Sequence, residues 1–517
     1  MKRTFLMLLA LGPACDPWDD LPSNSTTGES QAMWSPEVIP LADGLYAMLP
    51  AAKAVARIQP SGAERLDLEG SLPSRMVAST DGESLLVFGS YPSCDTEESG
   101  VETIEDCDKV EGEVVTNHEI NLVRDGALVA HVPIDSFLTG VAFSHSGDLA
   151  VAYADFSAGI PTLEGLGNPT EALFINMSDG AATPVALGFV PERVLFDDSD
   201  SVAVMLSRSR VVVLDIRSGS FDPLVSFPLS LDVDDRVQPT DVALTPDGRY
   251  ALITIAGAGD LYVLDLERES INIVSLPAAP ADMVVDTQND RTLLVYSGVA
   301  RADILEHEYF ETTTVTLEEP TSQITMGSSF ALLYYASTAN TQFHDLYRLN
   351  PLNQELVEYR LENPASSVVL SPDELYAVAI THPEGGFTSD LEGYYDANWG
   401  VEILDMGSDD SIALVAAAQP VGLAFAEGQA TALALLQGQA DLLRIDLSSG
   451  DATAVELNDA PLGIGATADG GFYITHDAAL GLVSFLDPAD DSITAVGGFG
   501  AFGLFGEQET PLPVRAE

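Results

Sequence analysis

"VALTPDGRYALIT", residues 242–254, sets two apolar runs on either side of a polar turn. Two such runs around an Asp-Gly turn are a β-hairpin signal. The second run, "YALIT", does not alternate: Leu252 and Ile253 are both aliphatic. A sheet with one wet face alternates apolar with polar, whereas strands buried on both faces read as continuous apolar runs. This hairpin is therefore expected to be covered on both sides.

The same pattern recurs along the chain. It appears as "MVASTDGESLLVFGS" (76–90), "VAFSHSGDLAVAYAD" (141–155), "VLFDDSDSVAVMLS" (194–207) and "MVVDTQNDRTLLVYS" (283–297). It returns as "ITMGSSFALLYYAS" (324–337), "VVLSPDELYAVAIT" (368–381), "LAFAEGQATALALLQ" (423–437) and "IGATADGGFYITHD" (464–477). Most of these units start 41–55 residues apart, the period of a four-stranded repeat. A second strand–turn pair follows most of them, as in "VVVLDIRSG" (211–219), "LYVLDLERE" (261–269) and "LLRIDLSSG" (442–450). A further strand such as "INIVSLP" (271–277) completes four per unit. No long stretch keeps a helical period, so the expected fold is all-β. A β-propeller buries both faces of each sheet between neighbouring blades. A β-solenoid is the rival, with shorter repeats. Nine clear units, plus a shorter one at 41–62, exceed the usual four to eight blades, and about eight four-stranded antiparallel blades are expected.

"VALTPDGRYALIT" followed by "LYVLDLERESINIVSLP" resembles the YVTN-type, lactonase-like β-propeller repeats of bacterial surface proteins, unit by unit across roughly residues 37–505. The resemblance implies the fold far more strongly than any chemistry. Within the repeats, the Trp-Asp pairs and Gly-His starts of other propeller families are absent.

At 517 residues the chain is long for one compact core. Its hydrophobic content of 46% with 42 Gly and 30 Pro describes a folded, turn-rich protein. The net charge of −59 repels phosphate backbones and anionic head groups, which excludes nucleic acid as an expected partner. Cations or basic partners are the ones such a surface attracts.

The segment "MKRTFLMLLALGPA" (1–14) has a basic start and an apolar run too short to span a bilayer, as a secretory signal does. "LGPAC" resembles a bacterial lipobox, which implies lipidation at Cys15. It departs from that pattern in placing Leu11 four residues before the cysteine, with Pro13 between. The expected organisation is a lipoprotein signal (1–14), a polar tether (15–36), the propeller (37–505) and a tail (506–517). The expected location is the bacterial cell envelope, on its periplasmic face or at the cell surface, with membrane contact through the lipid alone. Cys94 and Cys107, the other cysteines, are expected to form a disulfide in an oxidising compartment.

Three insertions, 91–117, 156–170 and 382–399, interrupt the rhythm between second and third strands, which gathers them at one end of the blades. Loops held by a rigid scaffold carry function, so this is the candidate binding face. The first holds nine carboxylates between Cys94 and Glu113 but no Asp-x-Asp-x-Asp-Gly loop, so calcium is an expectation without a motif. The third sets Phe387, Tyr394, Tyr395 and Trp399 among acids, a composition suited to sugars or cations or to folding the loop onto the scaffold. His382 and His476 fall at equivalent points after second strands, where they could serve a metal or a general base.

Catalytic motifs are otherwise missing. "HEINL" (118–122) and "HEYFE" (307–311) lack the second zinc-ligating histidine, and no Gly-x-Ser-x-Gly elbow occurs. "GFGAFG" (498–503) lacks the strand and helix a dinucleotide fingerprint needs. The leading expectation is a non-catalytic envelope lipoprotein, binding a protein or glycan through its long loops and needing no cofactor. A lactonase-like hydrolase with a channel site at His382 and His476 is the alternative, and a calcium-binding structural subunit the second.

Overall fold

The structure, a computed structural model, describes residues 34–95, 113–135, 138–155, 168–207, 210–219, 221, 223–229, 239–336, 343–384, 391–408 and 410–501. Every strand among them belongs to a four-stranded antiparallel sheet in sequence order, and there are ten such sheets. They are blades 1 (38–67), 2 (72–134), 3 (140–186), 4 (193–228), 5 (239–275), 6 (282–316), 7 (323–360), 8 (365–416), 9 (420–455) and 10 (461–497). The fold is thus an all-β propeller of ten blades, correcting the expected eight. The short N-terminal unit is a complete blade. Its first turn is only the two residues between Val38–Leu41 and Gly44–Leu49, and a 3-10 turn at Pro50–Ala52 joins its middle strands. Its first connection is shorter than the polar turns of the other units, so its four strands read as a fragment.

Two compact units divide the chain. Arg193–Leu457 holds blades 4–9, and the segments before Arg193 and after Leu457 hold blades 1–3 and 10.

The quoted hairpin shows why these residues fold this way. Pro239–Leu244 pairs with Tyr250–Ile255, and Leu252 and Ile253 are both wholly buried. Between the strands, the Thr245 hydroxyl donates to Asp247 (2.6 Å) and accepts from the Tyr250 amide (3.0 Å). Gly248, at φ +66°, turns the chain back. The same hydroxyl–Asp clasp forms at Ser79–Asp81 (2.5 Å), Ser371–Asp373 (2.6 Å) and Thr467–Asp469 (2.5 Å).

Consecutive apolar runs are explained by packing between blades. Val204 and Val213 of blade 4 share a core with Ala251 and Ile253 of blade 5, while Leu252 and Val263 pack the other way onto Leu294 of blade 6. In the other unit, blades 1 and 10 share a core that includes Leu45, Ala56, Tyr473 and Val483. Trp34, inside the expected tether, donates from Nε1 to the Ala478 carbonyl (2.8 Å) and meets Phe499 edge-on at 5.2 Å. Phe499 belongs to "GFGAFG", whose described part is therefore a packing turn. Gly500 there lies so near the Leu480 backbone that a Cβ would approach it to 2.8 Å.

Each blade has a turn end, with the first–second and third–fourth connections, and a link end, with the second–third connection and the links between blades. The described parts of the insertion at 91–117 are strand. Ser84–Asp95 and Glu113–Arg124 stay paired out to Asp95↔Glu113, so both of its flanks are strand. No helix among the described residues is long and apolar enough to cross a membrane.

Candidate functional site

The link between blades 7 and 8, Leu361-Glu362-Asn363-Pro364, gathers groups from four other parts of the chain. Before the third strand of blade 7, His344 exchanges two contacts with Leu361: the Leu361 amide donates to the His344 carbonyl (3.0 Å), and His344 Nδ1 lies 3.1 Å from the Leu361 carbonyl. Its Nε2 pairs with Glu384 at 3.1 Å. In the third strand of blade 8, Glu402 accepts from the Glu362 amide (3.1 Å). The Asn363 side-chain amide donates to the carbonyls of Tyr395 (2.7 Å) and Asn398 (3.3 Å). The His382 amide donates to the Pro364 carbonyl (3.1 Å).

This link is the seat of the third insertion. A one-and-a-half-turn helix, Leu391–Asp396, rests on it; the Asn398 side chain donates to the Tyr394 carbonyl (2.7 Å) and the Tyr395 hydroxyl reaches the Ala413 carbonyl (3.4 Å). Tyr395 thus faces inward, and Tyr394 stays 47% exposed. Trp399 is not a loop residue: it opens the strand Trp399–Asp405, half-buried, edge-on to His382 with ring centres 6.4 Å apart. Phe387 lies outside the described residues, as do Cys15 and Cys107. Cys94 lies on the second strand of blade 2, opposite Val114.

The two singled-out histidines fall in different compact units and are both buried. His476 ends a second strand with both nitrogens engaged, Nδ1 on the Asp459 carbonyl (3.0 Å) and Nε2 on Ser484 Oγ (2.8 Å). Burial holds its basicity below the usual histidine range. His382 Nδ1 sits 3.3 Å from the Pro383 carbonyl. These are the surroundings of core histidines that end strands. In the first strands of blades 4–6 the acids are stitched to their neighbours: Arg193 donates to Asp241, and Asp282 accepts from the amides of Ile324 (2.8 Å) and Met283 (2.9 Å).

Sequence reading missed a carboxylate cluster beside the seat. Oxygens of Glu318, Asp345 and Glu358 lie within 4.8 Å of one another. Asp345 is buried and already bonded to Arg360 (2.8 Å) and the Tyr347 hydroxyl (3.1 Å). Partial desolvation, then the charges of Asp345 and Glu318, raise Glu358 above the usual carboxylate range. The three come from a blade link, a third strand and a fourth strand, so no local motif could have announced them. At the turn end of the same two blades a cavity of about 300 Å³ is lined by Phe330, Arg348, Val357, Glu374 and Met406, with Arg348 donating to the Met406 carbonyl.

No family model matches the chain, and no curated protein matches it. Solved structures do. A eukaryotic initiation factor is similar at 11% identity and a TM-score of 0.49, over 81% of this chain and 96% of that one. Kuenenia stuttgartiensis hydrazine synthase aligns at 14% identity and 0.35, over 59% and 95%. The dihydro-heme d1 dehydrogenase NirN aligns at 11% and 0.35, over 67% and 78%. None of these likenesses bears on activity; the fold stands on its own sheet topology.

Proposed function

We propose that this protein is a non-catalytic propeller scaffold of the bacterial cell envelope, lipid-anchored through Cys15, and that it binds a protein or glycan at the link end of blades 7 and 8. One observation carries the binding half: the seat that fixes the third insertion turns Tyr395 inward and leaves Tyr394 exposed, and the link and segments that build this seat and its neighbourhood also carry the exposed acids Glu362 and Glu384. An exposed aromatic ring on an acidic surface suits a cationic or carbohydrate partner. The lipobox-like start and the YVTN-type repeats support the envelope address. The Cys94–Cys107 disulfide belongs to the same reading. Hydrolysis is the weaker alternative, because His382 and His476 have the partners of core residues.

Mass spectrometry of purified protein from the native cell tests the anchor: a lipid on Cys15, with Cys15→Ala released from the membrane fraction, is expected. Crosslinked co-purification then compares the wild type with Tyr394→Ala and with Ile273→Ala on an outer strand. Partners lost only with Tyr394→Ala support the site; identical partner sets reject it.

A second reading is favoured by the Glu318–Asp345–Glu358 group. Calcium takes carboxylate oxygens at about 2.3–2.6 Å, so oxygens on opposite sides of one ion stand roughly 5 Å apart. The cluster has that span, and a structural calcium there would tie a blade link to blade 7.

A further inference from the structure

The inserted segment of blade 8 depends on a side chain that sequence reading passed over. Glu402 is 2% exposed, flanked across the sheet by Ala379 and Ala413, and its carboxyl reaches out of the blade to the Glu362 amide. The next residue, Asn363, holds the carbonyls of Tyr395 and Asn398. Glu402 therefore sits beneath the link, the link beneath the short helix, and the helix presents Tyr394. The seat is also imperfectly satisfied, for Asn363 Oδ1 is buried with no hydrogen-bond partner.

We propose that Glu402 is a proton-controlled catch: its neutral carboxyl keeps the link 361–364 and the helix above it seated, and loss of the proton loosens them. This regulates the surface proposed above and rests on that reading for its purpose, though not for its physics. A carboxylate in this position lacks the water that a charge demands, and the only way to obtain water is to lift the link.

The charged groups around it reinforce the effect. Glu362 on the link is a like charge; His344, before the third strand of blade 7, is the facing base and is itself paired with Glu384; Ser411 from the fourth strand of blade 8 supplies a neutral hydrogen bond. Burial first, and then Glu362, outweigh the amide of Glu362, the Ser411 hydroxyl and His344, raising the group to about 7. The sign follows. The folded pKa lies above the unfolded value, so the stabilisation from the neutral form is complete below about 4.5 and is lost as pH rises through about 7. The seat is firm in mildly acidic surroundings and loosened in alkaline ones.

Hydrogen exchange of the full chain without any added partner tests this, read by mass spectrometry at pH 6 and pH 8 and corrected for intrinsic exchange rates. One proton released per opening gives a roughly tenfold loss of protection per pH unit between about 4.5 and 7 and no further loss above 7, so peptides covering 361–364 and 391–399 should be roughly tenfold less protected at pH 8 than at pH 6. Glu402→Gln keeps the shape and an oxygen acceptor, and is expected to hold high protection at both values. Glu362→Gln removes the like charge and is expected to move the wild-type midpoint downward, which keeps the test alive should Glu402→Gln fold poorly. Equal protection at pH 6 and pH 8 in the wild type overturns the catch; so does a Glu402→Gln profile that follows the wild type, or an unmoved midpoint in Glu362→Gln. Because no partner is present, these outcomes are independent of whether Tyr394 binds anything.

Discussion

Gly248 illustrates how one residue ties a turn to its neighbour blade. Its φ of +66° disfavours any side chain, and a Cβ there would stand 2.8 Å from Asp197 Cβ. Asp197 cannot retreat: it accepts from the amides of Ser201 (2.6 Å) and Val202 (2.7 Å) and from the hydroxyls of Ser199 and Ser201. Burial pushes its carboxyl up, but those hydrogen bonds win and hold it below the usual range. Gly428 has a similar φ, +72°, and nothing near its missing side chain. Gly428→Ala should therefore cost only the conformational penalty, about 1 kcal/mol, whereas Gly248→Ala adds a clash with a locked neighbour and should cost about 2 kcal/mol or more. Urea denaturation of both variants checks the difference. Equal losses would mean that the turn end is free of the adjacent blade.

Strands within a blade differ in what they contribute, and the difference was partly legible. Second strands such as Tyr250–Ile255 are apolar at nearly every position and buried on both faces, whereas fourth strands such as Ser270–Ser275 are largely exposed. Leu252→Ala should cost about 2–5 kcal/mol through lost burial and an unfilled cavity, and Ile273→Ala, at a site 57% exposed, no more than about 0.5 kcal/mol. Thermal melts of the pair rank the strands directly; a large loss at Ile273 would reveal a covered outer edge. Hairpins announce themselves because their turns and apolar runs are contiguous. Blade 1 escaped recognition as a full blade because its first connection is too short to carry that signal. Trp399 reads as a loop aromatic among acids, yet it pairs with Ala416 as a strand residue, since the insertion ends one position earlier than its composition suggests. The seat was illegible for another reason: His344, Glu362, Asn363, His382, Tyr395 and Glu402 meet only once two blades are folded, and nothing in their spacing encodes it.

Charge acts on the molecule as a whole. With 80 acids against 21 bases, the folded chain confines a repulsion that unfolding relaxes. Screening length falls from about 30 Å at 0.01 M salt to about 10 Å at 0.1 M, so sodium chloride should raise the melting temperature steeply over that range and then level off. A melting temperature that fell with salt would mean that the ion pairs, such as Arg57–Asp43 and Arg301–Asp303, outweigh the general repulsion. This response also isolates the calcium reading, because screening depends on ionic strength and site binding on the ion. At matched ionic strength, calcium filling the Glu318–Asp345–Glu358 group to a hundred times its dissociation constant would add about 2.7 kcal/mol beyond sodium. Glu358→Gln should remove that excess while leaving the sodium curve in place, since one charge in so large a total hardly alters the repulsion. If calcium and sodium curves coincide in the wild type, the three carboxylates are a surface cluster held by Arg360 and Tyr347, and calcium has no structural place there.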